Sequence, residues 1–158
     1  MKHAASLLSI ILMLVACGSD AEHGSSGLDA DPWTEMSEEA LTARIAAARR
    51  EASASDRLVL LDFIATWCED CREVVRLSHL PPARTVIEER YVVVYVEVGR
   101  FDRHRALLTE HQIDRIAALV VLDPDTGERV AKTTLEPITG GQRGFTSEAL
   151  ARWLRDPV

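Results

Sequence analysis

The chain has 158 residues and a formal net charge of −7, with 18 Lys and Arg against 25 Asp and Glu. An acidic chain of this kind is not expected to bind nucleic acid, because such binding needs basic patches that neutralise phosphates. The sequence also contains no glycine-rich phosphate loop and no internal repeat. The residues that could carry out chemistry include three cysteines.

The first 16 residues are typical of a secretory signal peptide. Lys2 precedes an apolar run over residues 4–16, which is shorter than the roughly 20 apolar residues that cross a bilayer. The run ends in LVAC, at Cys17, and resembles the bacterial lipobox, in which the cysteine is lipidated and becomes the first mature residue. The resemblance implies a membrane anchor on Cys17, and the alternative is an ordinary signal peptide with an incidental cysteine.

Residues 17–32 are small and polar, so we expect the lipidated cysteine to be followed by a flexible tether, with the domain over residues 33–158. In Gram-negative lipoproteins of this type, Asp after the cysteine favours the inner membrane. Here the residue is Gly18, so the expected location is the periplasmic face of the cell envelope, with the outer membrane slightly favoured. Disulfides form and persist in that compartment. Loss of Lys2 with the signal takes the formal charge from −7 to −8.

Apolar periodicity predicts that helices and strands alternate along the domain. Ser37 is expected to cap a first helix, and the nearly continuous apolar run over residues 58–64 predicts a central strand buried on both faces. A helix is expected directly after this strand and ends before Pro81-Pro82. The remaining predicted elements are a strand over 91–98, a helix over 103–111, a hairpin of strands over 118–122 and 129–133, and a last helix capped by Thr146. This order predicts an α/β fold with a mixed sheet of about four strands and helices on both faces.

The letters WCEDC, from Trp67 to Cys71, stand where the central strand passes into the next helix. A cysteine at a helix N-terminus is stabilised as the thiolate by the free backbone amides and the helix dipole, and the thiolate is the nucleophile of disulfide exchange. Cys68 is therefore the candidate nucleophile. Cys71 lies one turn later and is placed to resolve a mixed disulfide. Trp67 is expected to shield the pair from one side.

Asp62 lies on the predicted central strand, six residues before Cys68. A buried carboxyl group that lacks a partner has a raised pKa, which suits a proton acceptor that activates Cys71. The alternative is a carboxylate at a strand edge that remains solvated.

Residues 62–72 read DFIATWCEDCR and resemble the active-site segment of the thioredoxin superfamily, D-F-x-A-x-W-C-x-x-C-K. Residues 96–102 read VEVGRFD and are similar to V-x-V-G-R-F-D of bacterial thioredoxin-like domains. The resemblance implies a thioredoxin-like three-layer sandwich and an extracytoplasmic thiol–disulfide oxidoreductase that uses Cys68 as nucleophile, Cys71 as resolving cysteine and Asp62 as buried acid. It also implies disulfide-containing protein substrates, an upstream thiol electron donor, and no cofactor or metal.

Two positions depart from the pattern of that family. Thioredoxins carry a cis-proline before the third strand, in a loop that presents backbone to the substrate; the matching substrate-binding residues here are Ile116 and Ala117. Because a cis bond before a non-proline residue is costly, we expect a trans bond at this position. Tyr95 replaces the lysine that many thioredoxins have near the buried acid, which leaves desolvation to raise the pKa of Asp62.

Glu69 and Asp70 separate the two cysteines. Their carboxylates oppose a thiolate on Cys68 and partly cancel the helix dipole, which favours the disulfide form. The pair is therefore expected to be an electron donor, that is, a reductant of other disulfides.

Two other functions are compatible with the same residues. The two sulfurs could bind a soft ion such as Cu(I) with a histidine as the further ligand, and the candidates are His79, His104 and His111. Alternatively, the domain is a redox-inert scaffold, which Ala117 supports best.

Overall fold

The computed structural model describes residues 26–135 and 145–157. Its elements alternate along the chain as the sequence predicted, with one additional helix. In order, they are α1 (Glu38–Ala54), β1 (Leu58–Ile64), α2 (Glu69–Ser78), α3 (Ala83–Arg90), β2 (Tyr91–Glu97), α4 (Arg105–His111), β3 (Ala118–Leu122), β4 (Arg129–Thr134) and α5 (Ser147–Arg155).

The four strands form one mixed sheet in the order β2-β1-β3-β4. β1 pairs with β2 in parallel and with β3 antiparallel, and β3 pairs with β4 antiparallel. β1 is therefore an inner strand, and every residue in it after Leu58 is buried. The continuous apolar run predicted such a strand because both faces of an inner strand are covered by other elements. The predicted mixed sheet with helices on both faces is confirmed.

The helices begin where the sequence supplies side-chain caps. Ser37 Oγ accepts a hydrogen bond from the Ala40 amide at the start of α1, and Thr146 Oγ1 accepts one from the Ala149 amide at the start of α5. Such caps satisfy amide groups that the helix itself leaves unpaired. α1 packs against β1 and β2, whereas α2, α3 and α5 pack against one another.

The helix α3 was missed by the sequence analysis, which had taken Pro81-Pro82 as the end of one helix and Tyr91 as the start of the next strand. Its buried residues Ala83, Val86 and Ile87 recur at the i, i+3, i+4 spacing of a helical face. This signal was present in the sequence. It was short, and the β-branched residues within it are equally typical of a strand.

The packed domain begins before Trp33, where the sequence analysis placed the end of the tether. The Val93 amide donates to the Ser26 carbonyl over 2.7 Å, and Leu28 is buried with 1% of its surface exposed. The small polar composition of this stretch predicted a tether, but its one large apolar residue has a place in the core.

The predicted signal peptide and Cys17 lie outside the described residues, as do residues 136–144 between β4 and α5. Within the described ranges, none of the helices has the length and apolar character needed to cross a membrane.

Ser147 joins the start of α5 to the turn before α3. Its buried hydroxyl accepts a hydrogen bond from the Ala83 amide over 3.0 Å and donates to the Leu80 carbonyl over 2.7 Å. Ser147→Ala removes the acceptor of a buried amide and should lower the free energy of unfolding by about 1–3 kcal/mol, measured by urea denaturation. The control Ser53→Ala removes an exposed hydroxyl that bonds Asp125 and should change it by less than about 0.5 kcal/mol. Equal effects of the two substitutions would contradict the assigned role of Ser147.

Candidate active site

β1 is followed directly by α2. The strand ends at Ile64, whose carbonyl accepts a hydrogen bond from the Val98 amide at the end of the neighbouring strand. A tight turn follows, closed by a hydrogen bond of 3.1 Å from the Cys68 amide to the Ala65 carbonyl. Cys68 is then the residue that caps the N-terminus of α2. The sequence analysis predicted this strand–cysteine–helix arrangement, and the structure confirms it.

Cys68 and Cys71 are joined by a disulfide, with their Cα atoms 5.3 Å apart. The Cys71 amide donates to Cys68 Sγ over 3.1 Å, so the first sulfur occupies the position of a helix-capping acceptor. Cys68 keeps 6% of its surface exposed, whereas Cys71 has none. An incoming sulfur can therefore reach only the first cysteine, and a negative charge that develops there faces a backbone donor.

Asp62 is buried on β1, with 2% of its surface exposed. Its Oδ1 atom has no hydrogen-bond partner among the described residues. The residues beside it in register are Tyr95 on β2 and Leu119 on β3, neither of which is a cation. Burial raises the pKa of Asp62 from 3.8 to about 8. The alternative of a solvated carboxylate at a strand edge is therefore wrong.

Tyr95 lies beside Asp62 but does not bind it. Its hydroxyl donates to the Leu28 carbonyl over 3.2 Å. Burial raises the pKa of Tyr95 above its usual value, and the negative charges of Asp62 and Asp29 raise it further. Tyr95 thus takes the place of the lysine expected from the family pattern without supplying a positive charge.

Trp67 lies on the surface beside the disulfide segment, with 48% of its area exposed. Its indole Nε1 donates to the Gly99 carbonyl over 2.7 Å, and its ring lies 6.3 Å from that of Phe101. The ring is therefore fixed by the loop that follows β2, and about half of the residue's surface remains available for contact.

The loop that holds Trp67 is fixed in turn by a buried carboxylate. Glu97 accepts hydrogen bonds from the Gly99 amide over 3.1 Å and from Arg103 over 3.0 Å. Gly99 itself has a φ of +59°, a conformation that other residues adopt rarely. The sequence analysis noted VEVGRFD as a family motif but did not find these roles, because the partners Glu97 and Arg103 meet only when the loop is folded.

The Ile116–Ala117 peptide bond is cis, which corrects the expected trans bond. The expectation considered the bond in isolation. In the fold, Ala117 is buried and the next residue, Ala118, already pairs with Phe63 and Thr134, so packing on both sides determines the backbone. Ile116 is half-buried at the same loop.

The negative charge of the two acids between the cysteines is partly offset by a cation, which the sequence analysis did not expect. Glu69 is exposed, and the Arg72 guanidinium lies 3.9 Å from its carboxylate. The same guanidinium donates to the Thr66 carbonyl over 2.7 Å, which fixes it near the start of the helix. A cation therefore offsets part of the negative charge that Glu69 and Asp70 bring to the site.

The three candidate histidines do not gather at the sulfurs. His104 is buried, with Nδ1 3.2 Å from the Glu38 carboxylate, and the ring of His111 lies 6.1 Å from that of Phe63. Burial lowers the pKa of His111. His79 is the C-cap residue of α2. Among the residues that the structure describes, no three His, Cys, Asp or Glu side chains are grouped as a metal site requires. The copper alternative is left with two sulfurs and no further ligand in this part of the chain.

A family model described as Thioredoxin-like matches residues 40–124, which is more than half of the 158-residue chain. The chain therefore belongs to the thioredoxin-like family. The matched residues include β1, the disulfide, β2 and β3. No curated protein matches the sequence closely enough to count as a relative.

Three solved structures illustrate the shared fold. A disulphide isomerase from Xylella fastidiosa Temecula1 is 24% identical, with a TM-score of 0.67 over 78% of this chain and 94% of that one. The C-terminal domain of DsbD from Neisseria meningitidis, in its reduced form, is 24% identical, with a TM-score of 0.57 over 76% and 96%. The germline-specific thioredoxin Deadhead from Drosophila melanogaster is 24% identical, with a TM-score of 0.53 over 77% and 95%. A thioredoxin fold with a bonded cysteine pair is consistent with thiol–disulfide oxidoreductase chemistry in general.

The buried carboxyl group makes a prediction about stability. With a pKa of about 8 in the folded protein and near 4 in the unfolded chain, Asp62 is protonated only in the folded state between these pH values. The free energy of unfolding should therefore fall as the pH rises through this window. Asp62→Asn does not titrate, so its stability advantage over the wild type should grow by up to about 4 kcal/mol between pH 5 and pH 9.

Urea denaturation of the oxidised proteins at pH 5, 7 and 9 measures this advantage. The control Asp114→Asn changes an exposed carboxylate and should alter the stability by less than about 0.5 kcal/mol at each pH. An advantage of Asp62→Asn that does not vary with pH would show that Asp62 is ionised in the folded protein across the whole range.

Proposed function

We propose that the protein is a membrane-tethered, extracytoplasmic thiol–disulfide oxidoreductase that reduces disulfides in other proteins. The observation that carries the proposal is the Cys68–Cys71 disulfide at the N-terminus of α2, in which Cys68 keeps 6% of its surface exposed and Cys71 keeps none. A structural bridge with both cysteines fully buried would lack this difference. The redox names of the Xylella and Neisseria neighbours are in keeping with this proposal.

The first step begins from the reduced protein. The Cys68 thiolate attacks one sulfur of a substrate disulfide; the substrate S–S bond breaks, a mixed disulfide forms, and the departing sulfur takes up a proton. The amide that caps Cys68 Sγ stabilises the attacking thiolate. Trp67, Ile116 and Ala117 are the proposed contacts for the substrate chain, because Trp67 is exposed beside the sulfurs and the other two form the family's substrate loop.

The second step releases the reduced substrate. Asp62, whose pKa of about 8 lies near that of a thiol, accepts the proton of Cys71. The Cys71 thiolate then attacks Cys68 Sγ, the bond from Cys68 to the substrate breaks, and the second substrate sulfur leaves as a thiolate that takes up the proton released by Asp62. Two electrons have passed to the substrate, and the protein is left with the disulfide seen in this structure. Another thiol protein must supply two electrons to restore the dithiol, and no cofactor takes part.

The direction of electron flow follows from the charges beside Cys68. Glu69 and Asp70 lie in the first turn of α2, where negative charge disfavours a thiolate and so favours the disulfide form. Arg72 offsets part of this charge, so the effect is smaller than the two acids alone would give. We propose that the balance still favours donation of electrons.

The proposed location rests on the amino-acid sequence. The signal-like residues 1–16 and the lipobox-like Cys17 support lipid anchorage in the cell envelope, and Gly18 slightly favours the outer membrane. An oxidising compartment of this kind is where a protein that reduces disulfides meets its substrates.

Replacement of Cys68 and replacement of Cys71 should have different effects on the activity. The wild-type protein should accelerate the reduction of insulin by dithiothreitol, and Cys68→Ser should return the rate to that of dithiothreitol alone. Equal rates for wild type and Cys68→Ser would favour the redox-inert scaffold.

The same pair of positions gives a matched trapping experiment. Cys71→Ala keeps the nucleophile but lacks the resolving sulfur, so it should accumulate mixed disulfides with substrate proteins, visible on non-reducing gels and lost on reduction. Cys68→Ala lacks the nucleophile and should accumulate none. More adducts with Cys68→Ala than with Cys71→Ala would reverse the assigned roles.

A further inference from the structure

Residues 26–29, which we call the N-terminal strap, lie along the outer edge of β2. β2 is the last strand on its side of the sheet, so its outer backbone groups need other partners. The Val93 amide donates to the Ser26 carbonyl over 2.7 Å. Leu28 is buried in the core with 1% of its surface exposed, and the Asp29 carboxylate lies 3.7 Å from Arg84 of α3. The strap is therefore held by backbone pairing, by apolar packing and by an ion pair.

The strap also binds the residue that stands next to the buried acid. Tyr95 and Asp62 are register partners on adjacent parallel strands, so their side chains lie on the same face of the sheet. The Tyr95 hydroxyl is the nearest candidate donor for the Asp62 carboxyl on β2, but it donates to the Leu28 carbonyl over 3.2 Å. Oδ1 of Asp62 is correspondingly without a partner among the described residues.

We propose that the strap is a positioning element of the redox site: it holds the Tyr95 hydroxyl on the Leu28 carbonyl and closes the sheet edge, so that this hydroxyl does not donate to the Asp62 carboxyl and the carboxyl stays buried. Leu28 is the positioning residue, and Tyr95 is the residue whose hydroxyl the strap holds. The inference deepens the proposed function and rests on it, because the strap matters to turnover only if Asp62 is the proton acceptor for Cys71.

The strand residues beside Asp62 offer little, apart from burial, that could shift its pKa. From β3 the facing residue is Leu119, which does not titrate, and from β2 it is Tyr95. Asp29 of the strap acts on Tyr95 and is itself near Arg84. Burial is the cause of the raised pKa of Asp62, and no charge on the residues that the structure describes contributes to it. A change that lets water or the Tyr95 hydroxyl reach the carboxyl should therefore lower its pKa.

The test measures the pKa of Asp62 directly, from the pH dependence of its side-chain carboxyl ¹³C shift in the oxidised full-length protein. Leu28→Ala removes the anchor of the strap and should increase the acidity of Asp62 at least tenfold, a fall of one pKa unit or more. Gly27→Ala should have the same effect without a cavity, because Gly27 has a φ of +73° and an added Cβ would collide with the Val93 carbonyl.

Two controls separate the strap from general disturbance of the fold. Leu122→Ala makes a similar cavity in the core. Leu122 pairs with Val59 and lies three residues after Leu119, the register partner of Asp62, so its side chain is on the opposite face of the sheet. This substitution should leave the pKa of Asp62 unchanged. Ala30→Ser alters the exposed residue that follows the strap and should also leave it unchanged.

Tyr95→Phe keeps the ring and tests the hydrogen bond in a protein that is expected to fold. Because the hydroxyl donates to Leu28, its loss should leave the pKa of Asp62 within experimental error. A clear rise would mean that Tyr95 donates to Asp62 and would overturn the proposal. A folded Leu28→Ala or Gly27→Ala protein with the wild-type pKa would overturn it as well.

This experiment needs no substrate and no turnover. If insulin reduction fails while Leu28→Ala lowers the pKa, the proposed function is wrong, and what stands is the control of the Asp62 pKa by the strap, without a role in turnover. If the pKa is unmoved while insulin is reduced, only the strap assignment fails.

Discussion

A carboxyl group without a donor, buried on the strand that leads into the disulfide, is the constraint on which the site depends. β1 is paired on both sides, and every residue in it after Leu58 is buried, which leaves Asp62 with 2% of its surface exposed. An ionised carboxylate in such a place is strongly disfavoured, and burial therefore raises the pKa of Asp62 to about 8. The raised pKa of Asp62 costs stability at neutral and alkaline pH, and it lies near the pKa of a thiol, as the proposed role of Asp62 as proton acceptor requires.

The same inner strand determines the geometry of the sulfurs. Because β1 ends at Ile64 and α2 begins at Glu69, Cys68 occupies the capping position and Cys71 lies one turn inside the helix. The difference in exposure between the two cysteines follows from this arrangement and supports the different roles that we propose for them in exchange. Trp67 is fixed by the loop after β2, whose conformation depends on the buried Glu97. The site is therefore assembled from the ends of adjacent strands, as is common in sheets with helices on both faces.

Prediction from sequence succeeded where a buried strand or a capped helix leaves an unambiguous pattern. β1 and β3 were predicted at their observed bounds, because a short apolar run between turn signals has one simple interpretation. The burial of Asp62 followed from the apolar residues on either side of it. The position of Cys68 and Cys71 at the start of the helix after β1 was predicted from similarly local signals.

The features that sequence reasoning missed depend on contacts between distant residues. Leu28 becomes part of the core only because the edge of β2 offers it a place. The bonds of Glu97 to Gly99 and Arg103 form only in the folded loop, and the Tyr95 hydroxyl finds its acceptor 67 positions away. The conformation at Ile116–Ala117 is likewise set by flanking packing rather than by the preference of the bond itself. None of these contacts leaves a periodic or compositional signal.

The reduction potential of the Cys68–Cys71 couple tests the central claim most directly. It can be measured by equilibrating the protein with glutathione or with a thioredoxin of known potential and quantifying the dithiol and disulfide forms. A reductant of protein disulfides should have a potential well below about −150 mV, towards the range of thioredoxin. A potential above about −150 mV, near that of a strong disulfide-forming oxidant, would contradict the proposed direction of electron flow.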